Sequence, residues 1–497
     1  MQEINNTKQA AWVAVGSFFS FIVGIISPMI LARYFDKGDY GTYKQVMFVY
    51  NTLLAVFTLG LPKAYAYFLP KYDSKFSKDI INKITKVFVV MGFVFAAILV
   101  LSAGPIASFL NNMELKKALI YFAPTPLFLL PTMGLDGIYA SFKQTKYLAY
   151  YTIFTRVLTI ICIILPVILW DGNYLHAIIG FDVAAFFTCL LAMYLKTYPV
   201  RNEKSEKSEL YYKQIFAFAL PLLYASLWGI MITSATQFYI SRYYGSEVFA
   251  DFSNGFMEIP FVGMVLGAVA TVLLPAFSRM DSGTGMSDVT LQMWQSALIK
   301  SAKIIFPMVI YGFFFAEILM RCMYGDNYNQ SAIYFQIKNA GSMLYIIPFA
   351  PIILAIGKTK QYANVHMCIA FIIVFAEYIV VKTLNSPVYV AVVSEICQVL
   401  KIFLLMKIIA QYAGMSRLKL LPLKSLAKII ITTVISACLT YMITECFICN
   451  KYVFLMLSLM IYIIVYYGLC WAVRISYREL AYGFGVNDKS FILKFLP

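Results

Sequence analysis

Arg156, Lys338 and Lys401, together with Asp136, Asp182, Glu258, Glu317, Glu377 and Glu395, sit inside long apolar stretches of the chain. Placing an ionisable side chain at the centre of a bilayer costs about 2.5–3.5 kcal/mol on insertion scales, so such residues face a partner or a cavity. The chemistry open to them is electrostatic. A fixed cation in a dry cavity binds phosphate, and a desolvated carboxylate exchanges a proton or cation as its access to water changes. Lys63 and Lys401 have stems long enough to snorkel, and Glu317 and Glu377 lie near outer helix ends where the interface solvates them. Arg156, Asp182, Lys338 and Glu395 have no such exit, which leaves two readings: mutual pairing that locks helices together, or action on a substrate or ion.

Other chemistries find no support. The sequence has no Walker A loop, dinucleotide-binding glycine turn or nucleophile elbow. A membrane glycan polymerase or ligase is expected to carry a long external loop with catalytic Arg or His, and every external loop here is short, so no catalytic residue is assigned and transport is expected over catalysis. The nine cysteines are scattered, mostly in apolar segments where a thiol behaves as a small hydrophobe. Cys446 and Cys449 form one Cys-x-x-Cys without a second pair or a nearby histidine, so neither a metal site nor a redox role is expected. His176 and His366 are single, far apart and read as interface residues.

The elements holding these charges follow from composition. With 61% hydrophobic and 13% charged residues the chain cannot make a soluble surface, and its apolar runs match the roughly 20 residues that cross a bilayer core. An all-α, polytopic membrane protein of about fourteen spans is expected, near 11–32, 45–69, 87–109, 118–141, 148–170, 174–195, 214–241, 250–278, 296–320, 331–356, 361–382, 387–409, 425–445 and 452–473. The first run, Ala11 to Ala32, is too long for a signal-peptide core and reads as a retained helix. It carries a small-residue face, Gly16, Ser17, Ser20, Gly24 and Ser27, suited to close helix packing. Pro62, Pro260, and Pro348 with Pro351 interrupt the second, eighth and tenth spans. Lys and Arg concentrate in alternate loops, which puts both termini in the cytoplasm of a cell whose cytoplasmic (inner) membrane holds the protein. Much of the net charge of +16 then meets anionic lipid headgroups, and no nucleic-acid partner is expected.

The chain is also duplicated. Arg33-Tyr34-Phe35 and Tyr40-Gly41-Thr42-Tyr43 recur as Arg242-Tyr243-Tyr244 and Phe249-Ala250-Asp251-Phe252. Further on, Ala118 to Phe122 pairs with Ser331 to Phe335, Thr145-Lys146 with Thr359-Lys360, and Asp182 of the sixth span with Glu395 of the twelfth. The expected organisation is a six-helix bundle at 1–196, a solvated cytoplasmic linker at 197–213, a second six-helix bundle at 214–410, and an additional helix pair with a cytoplasmic tail at 411–497. Six spans separate equivalent points, so the repeats are parallel, related by an axis along the membrane normal.

The two Arg-Tyr motifs, the six-span duplication and the extra final pair resemble the polysaccharide transporters, the O-antigen and lipid-linked oligosaccharide flippases. Their superfamily also holds the multidrug and toxic compound extruders and the lipid II flippases. The resemblance implies two bundles around a central cavity that opens alternately to either side, moving an undecaprenyl-pyrophosphate-linked glycan outward without a cofactor. The arginines of the first two helices of lipid II flippases and the first-helix acid of the extruders are both missing here, so neither site transfers. The substrate-binding candidates are therefore Arg156 and Lys338, with Arg33 and Arg242 at the outer ends of equivalent helices, and the ion-coupling candidates are Asp182 and Glu395. The expected partners are a lipid-linked oligosaccharide, anionic lipids and, if transport is coupled, a proton or sodium ion. The alternative is a cation-coupled multidrug or small-molecule exporter, and a membrane-embedded glycan-assembly enzyme ranks third.

Overall fold

The computed structural model describes residues 2–203, 206–278, 288–347, 349–447 and 450–478. They are helical throughout, with no strand among the described residues. Two compact units divide the chain, Met1–Ala250 and Asp251–Pro497.

In the first unit run α1 (Gln2–Tyr34), α2 (Lys37–Phe57), α3 (Pro62–Phe68), α4 (Ser77–Phe109), α5 (Glu114–Phe122), α6 (Pro124–Leu129), α7 (Leu135–Ser141), α8 (Thr145–Leu169) and α9 (Tyr174–Thr197). Most of α10 (Tyr212–Gly255) also belongs here, with non-helical backbone at Gly245. The helix starts are written locally. Asp36 caps α2 by accepting from the Asp39 amide at 2.7 Å, and Asn173 caps α9. The small-residue face of α1 packs along α8: a Cβ built on Gly16 would lie 3.4 Å from the Ala149 backbone. The two copies of the Arg-Tyr motif meet here, because Gly41 lies against Ser246 so closely that a Cβ at 41 would sit 2.0 Å from the Ser246 carbonyl oxygen. Only glycine fits that approach.

Polar contacts gather at both ends of this unit. At one end Gln45 donates to Ser241 at 2.9 Å, Asn112 donates to Gln45 at 2.6 Å, and Tyr174 donates to Glu114 at 2.9 Å. At the other, Ser208 donates through its amide (2.8 Å) and hydroxyl (2.6 Å) to Asp79, which is paired with Lys83 at 2.8 Å. The linker is thus docked here rather than solvated along its length, and Leu210 is buried beside it.

The second unit holds the end of α10, α11 (Pro260–Ser278), α12 (Asp288–Phe314), α13 (Ala316–Tyr324), α14 (Ser331–Ser342), α15 (Phe349–Ala355), α16 (Thr359–Thr383), α17 (Pro387–Ala413), α18 (Arg417–Leu420), α19 (Leu423–Thr444) and α20 (Lys451–Val473). Its core gathers Trp294, Phe306, Ile310 and Tyr311 of α12 with Tyr462 and Tyr466 of α20. Pro307 lies inside α12 and supplies no N–H to the Lys303 carbonyl. The Tyr477 hydroxyl donates to that carbonyl at 2.8 Å, and Tyr462 donates to the Pro307 carbonyl at 2.9 Å. The final helix and the segment after it thereby supply donors to the carbonyls around the proline, as apolar surroundings demand.

Among the described residues, 11 helices are long and apolar enough to cross a membrane, or 12 if the bent pair Tyr212–Tyr224 and Ser226–Gly255 is one span. The difference from the fourteen expected lies in the eighth and tenth spans, each divided between two helices. The eighth breaks before Pro260, where α11 begins, and the tenth between α14 and α15. Equivalent breaks occur in the first unit. The second span breaks at Leu59 and Gly60, both with positive φ, before Pro62 opens α3, and the fourth is divided into α5, α6 and α7. Pro348 and Cys449 lie outside the described residues.

Candidate functional site

Interrupted helices at corresponding places in two halves mark the binding region of many transporters, because broken backbone inside a membrane is tolerated where it lines a cavity. The repeat register that sets Asp182 opposite Glu395 also sets Thr125, on α6 of the broken fourth span, opposite Lys338 on α14 of the broken tenth. Each of these donors bonds the acid of its own unit, 57 residues further along the chain. The Thr125 hydroxyl donates to Asp182, and the Lys338 ammonium lies 2.8 Å from Glu395 Oε1. The same frame therefore holds a neutral donor and an acid in one unit, and a cation and an acid in the other.

The second pair is tightly built. The Tyr345 hydroxyl donates to Glu395 Oε2 at 2.8 Å, and the Lys338 ammonium lies 5.0 Å from the Phe256 ring and 5.1 Å from that of Tyr345. Glu395 lies so close to α14 that a Cβ at Gly341 would come within 1.9 Å of its Oε2. Lys338 faces a cavity of about 480 Å³ whose polar lining also includes Glu258, Tyr345, His366, Gln398 and Lys401, over apolar Leu266, Ile402 and Leu405. Lys401 donates to Gln398, one turn back on α17. His366 Nδ1 lies 3.0 Å from the Tyr362 carbonyl, an acceptor, so Nδ1 carries the proton.

Three expectations are corrected here. Lys401 does not snorkel to an interface but lines this cavity, because it follows Gln398 by one turn on the inward face of α17. His366 is a cavity residue held by its own helix backbone and not an interface residue. Glu377 is fully buried, since α16 continues to Thr383 and packs along α17. Glu317, by contrast, is exposed and pairs with Arg321 at 3.6 Å.

The remaining candidates are not gathered into this cavity. Asp182 is half-buried, with Thr125 as its hydrogen-bond donor and no ion pair among the described residues. Arg156 is exposed on α8, and its Nε donates to Ser20 on the small-residue face of α1 at 3.3 Å. Arg242 donates to the Phe109 carbonyl at the end of α4 and stacks on the Phe109 ring at 4.5 Å, so it closes a helix terminus. Arg33 is exposed in the last turn of α1. The sequence reading passed over Lys196, which is buried with its ammonium 2.8 Å from the Tyr65 hydroxyl and over the rings of Tyr65 and Phe88. Among the described residues no cluster of His, Cys, Asp and Glu is arranged to hold a metal ion.

A family model described as polysaccharide biosynthesis protein matches residues 7–281. The chain belongs to the polysaccharide biosynthesis protein family. No curated protein matches it significantly. Among solved structures, this family member is similar to the lipid II flippase MurJ in an inward closed conformation, with a TM-score of 0.72 and 17% identity over 94% of this chain and 99% of that one. It is similar as well to an inward-facing multidrug resistance MATE family transporter of the MOP superfamily, with a TM-score of 0.60 and 11% identity over 82% and 99%. A MOP superfamily transporter from Pyrococcus furiosus, whose title reports a binding pocket of reverse polarity, gives a TM-score of 0.55 and 12% identity over 82% and 96%. Identities this low establish a shared fold. The family member is thus an all-α, multi-pass membrane protein that shares its fold with these solved structures.

Proposed function

We propose that this family member is a flippase that carries an undecaprenyl-pyrophosphate-linked oligosaccharide from the inner to the outer leaflet of the cytoplasmic membrane, for O-antigen, capsule or exopolysaccharide assembly. Both termini face the cytoplasm, and a six-helix bundle on each side of the 197–213 linker rocks around the substrate. The observation that carries the proposal is the contact of Lys338, a cation lining a polar cavity, with Glu395. It joins a cation suited to pyrophosphate and an acid suited to a coupling ion in one ion pair.

That contact suggests a mechanism. While Glu395 is ionised it holds Lys338, and the headgroup must compete with a carboxylate at 2.8 Å. A proton or sodium ion on Glu395 neutralises the acid and releases the ammonium for a phosphate oxygen, and loss of the ion takes it back. Lys401 supplies a second cation in the same cavity, and Tyr345, Tyr362 and Gln398 supply polar partners. Asp182 is the matching exchange site of the first unit, and Arg156, Arg33 and Arg242 are further cations on the headgroup's path.

The test is translocation of a fluorescent undecaprenyl-pyrophosphate oligosaccharide in vesicles containing the purified protein, with and without a proton or sodium gradient. Native protein should flip it in a gradient-dependent way, and Lys338→Ala should not. Gradient-driven movement of organic cations with no movement of the lipid-linked glycan would instead establish the exporter reading.

A further inference from the structure

A second polar cavity of the same unit is lined along α13 and by the facing ends of α19 and α20, and shares no lining residue with the Lys338 cavity. It has a volume of about 770 Å³, within the roughly 300–1,000 Å³ range of small-molecule sites. The turn after α13 brings Asp326 into its wall, where Oδ1 accepts from Arg321 Nε at 2.8 Å and Oδ2 accepts from Lys451 Nζ at 2.9 Å. Glu317 stands 3.6 Å from the same guanidinium. The two bonds to Asp326 hold its carboxyl below the usual carboxylate range, so it stays ionised at neutral pH. The row therefore holds two acids and two bases and is electrically balanced. Aromatic faces stand around it, Tyr441 at the end of α19 and Tyr452 at the start of α20, both about half exposed, with the Gln336 amide beside them.

We infer that this cavity binds a sugar unit of the transported glycan, a neutral hexose or N-acetylhexosamine. The inference rests on the proposed glycan cargo and adds a site for it. A balanced row of charges has no surplus cation for a pyrophosphate, whereas sugar hydroxyls, each both donor and acceptor, match a wall in which carboxylate oxygens alternate with guanidinium and ammonium N–H groups. The apolar C–H face of a pyranose ring suits an exposed tyrosine face. The site also gives α19 and α20 a role, since these helices lie outside the six-span repeat and furnish Tyr441, Lys451 and Tyr452. Asp326, after α13, and Lys451, at the start of α20, meet at one end of the unit, the end that faces outward when both termini are cytoplasmic. A sugar held there is on the product side.

The test is saturation-transfer NMR titration of glucose, galactose and N-acetylglucosamine against the full-length protein in nanodiscs. At least one sugar should show saturation transfer, and Tyr452→Ala and Asp326→Asn should each weaken its binding about tenfold, an effect of roughly 1.4 kcal/mol. Lys338→Ala should leave sugar binding unchanged, so loss of flipping in that variant and loss of sugar binding in the others report separate sites. Tyr452 is exposed, so its variant keeps the proposal testable if Asp326→Asn fails to fold. No transfer to any of the three sugars, or equal binding by native protein and Tyr452→Ala, would overturn the inference.

Discussion

Lys338→Met separates an ion pair that only holds helices from one that also works. The Lys338 and Glu395 side chains are 16% and 7% exposed, so removing the ammonium leaves a carboxylate largely out of water. Breaking a buried pair costs about 3–5 kcal/mol, and with the Tyr345 hydroxyl still donating to Oε2 the lower end applies, about 3 kcal/mol. For a unit of this size 1 kcal/mol moves the unfolding temperature by roughly 2–4 °C, so Lys338→Met should unfold roughly 6–12 °C below the native protein. Glu395→Gln should fall by a similar amount because it strands the ammonium. The double variant should recover most of the loss, since two neutral side chains leave no unpaired charge. Intrinsic-fluorescence melting of the purified proteins in detergent measures all three. Lys338→Met melting at the native temperature would refute the argument that the pair is desolvated. If the double variant melts like the native protein and still delivers full surface glycan, the pair is a structural lock and the coupling mechanism falls.

Asp182→Asn should preserve folding, because Thr125 can still donate to an amide oxygen, yet weaken the response of transport to the ion gradient; gradient-response curves in vesicles check this, and an unchanged curve removes Asp182 from coupling. Gly341→Ala should destabilise the protein by about 1–3 kcal/mol, because its methyl must displace the Glu395 carboxylate, and the melting assay reads it directly. In intact cells an impermeant thiol reagent should label Cys introduced at Asn202 only after permeabilisation, and label Cys at Glu247 without it; the reverse pattern would invert the proposed topology. Cys introduced at Ser208 should react more slowly than at Asn202 even in opened cells, because Asp79 and Lys83 hold that residue down.

What could be read in advance follows the range of each force. Bilayer thickness imposes a length of about 20 apolar residues wherever a helix crosses, so the spans were legible without tertiary information. Proline announces its own breaks, and Pro62 and Pro260 each open the second half of a divided span. The break in the fourth span was missed because its prolines sit in an unbroken apolar run. Duplication made Asp182 and Glu395 legible as equivalents, but the donor opposite Asp182 is an uncharged threonine that nothing marks in an apolar segment. Lys401 and His366 depend on which way a helix face turns, and a sequence states spacing, not direction. Even so, Gln398, Lys401, Ile402 and Leu405 follow one another at helical intervals, and that stripe could have been traced to the cavity wall.

The matched donors Thr125 and Lys338 carry a genetic consequence. Threonine and lysine can interchange by a single base, as ACA does with AAA, so a change of this kind at either place is within reach of point mutation. One half carries an acid with a neutral donor and the other an acid with a cation, while the surrounding frames, 57 residues from donor to acid, are the same. A lineage that exchanged these two codons would move the balanced pair to the opposite half without rebuilding either bundle. Descendants of one duplicated gene can thus redistribute charge between their halves while keeping the fold that displays it.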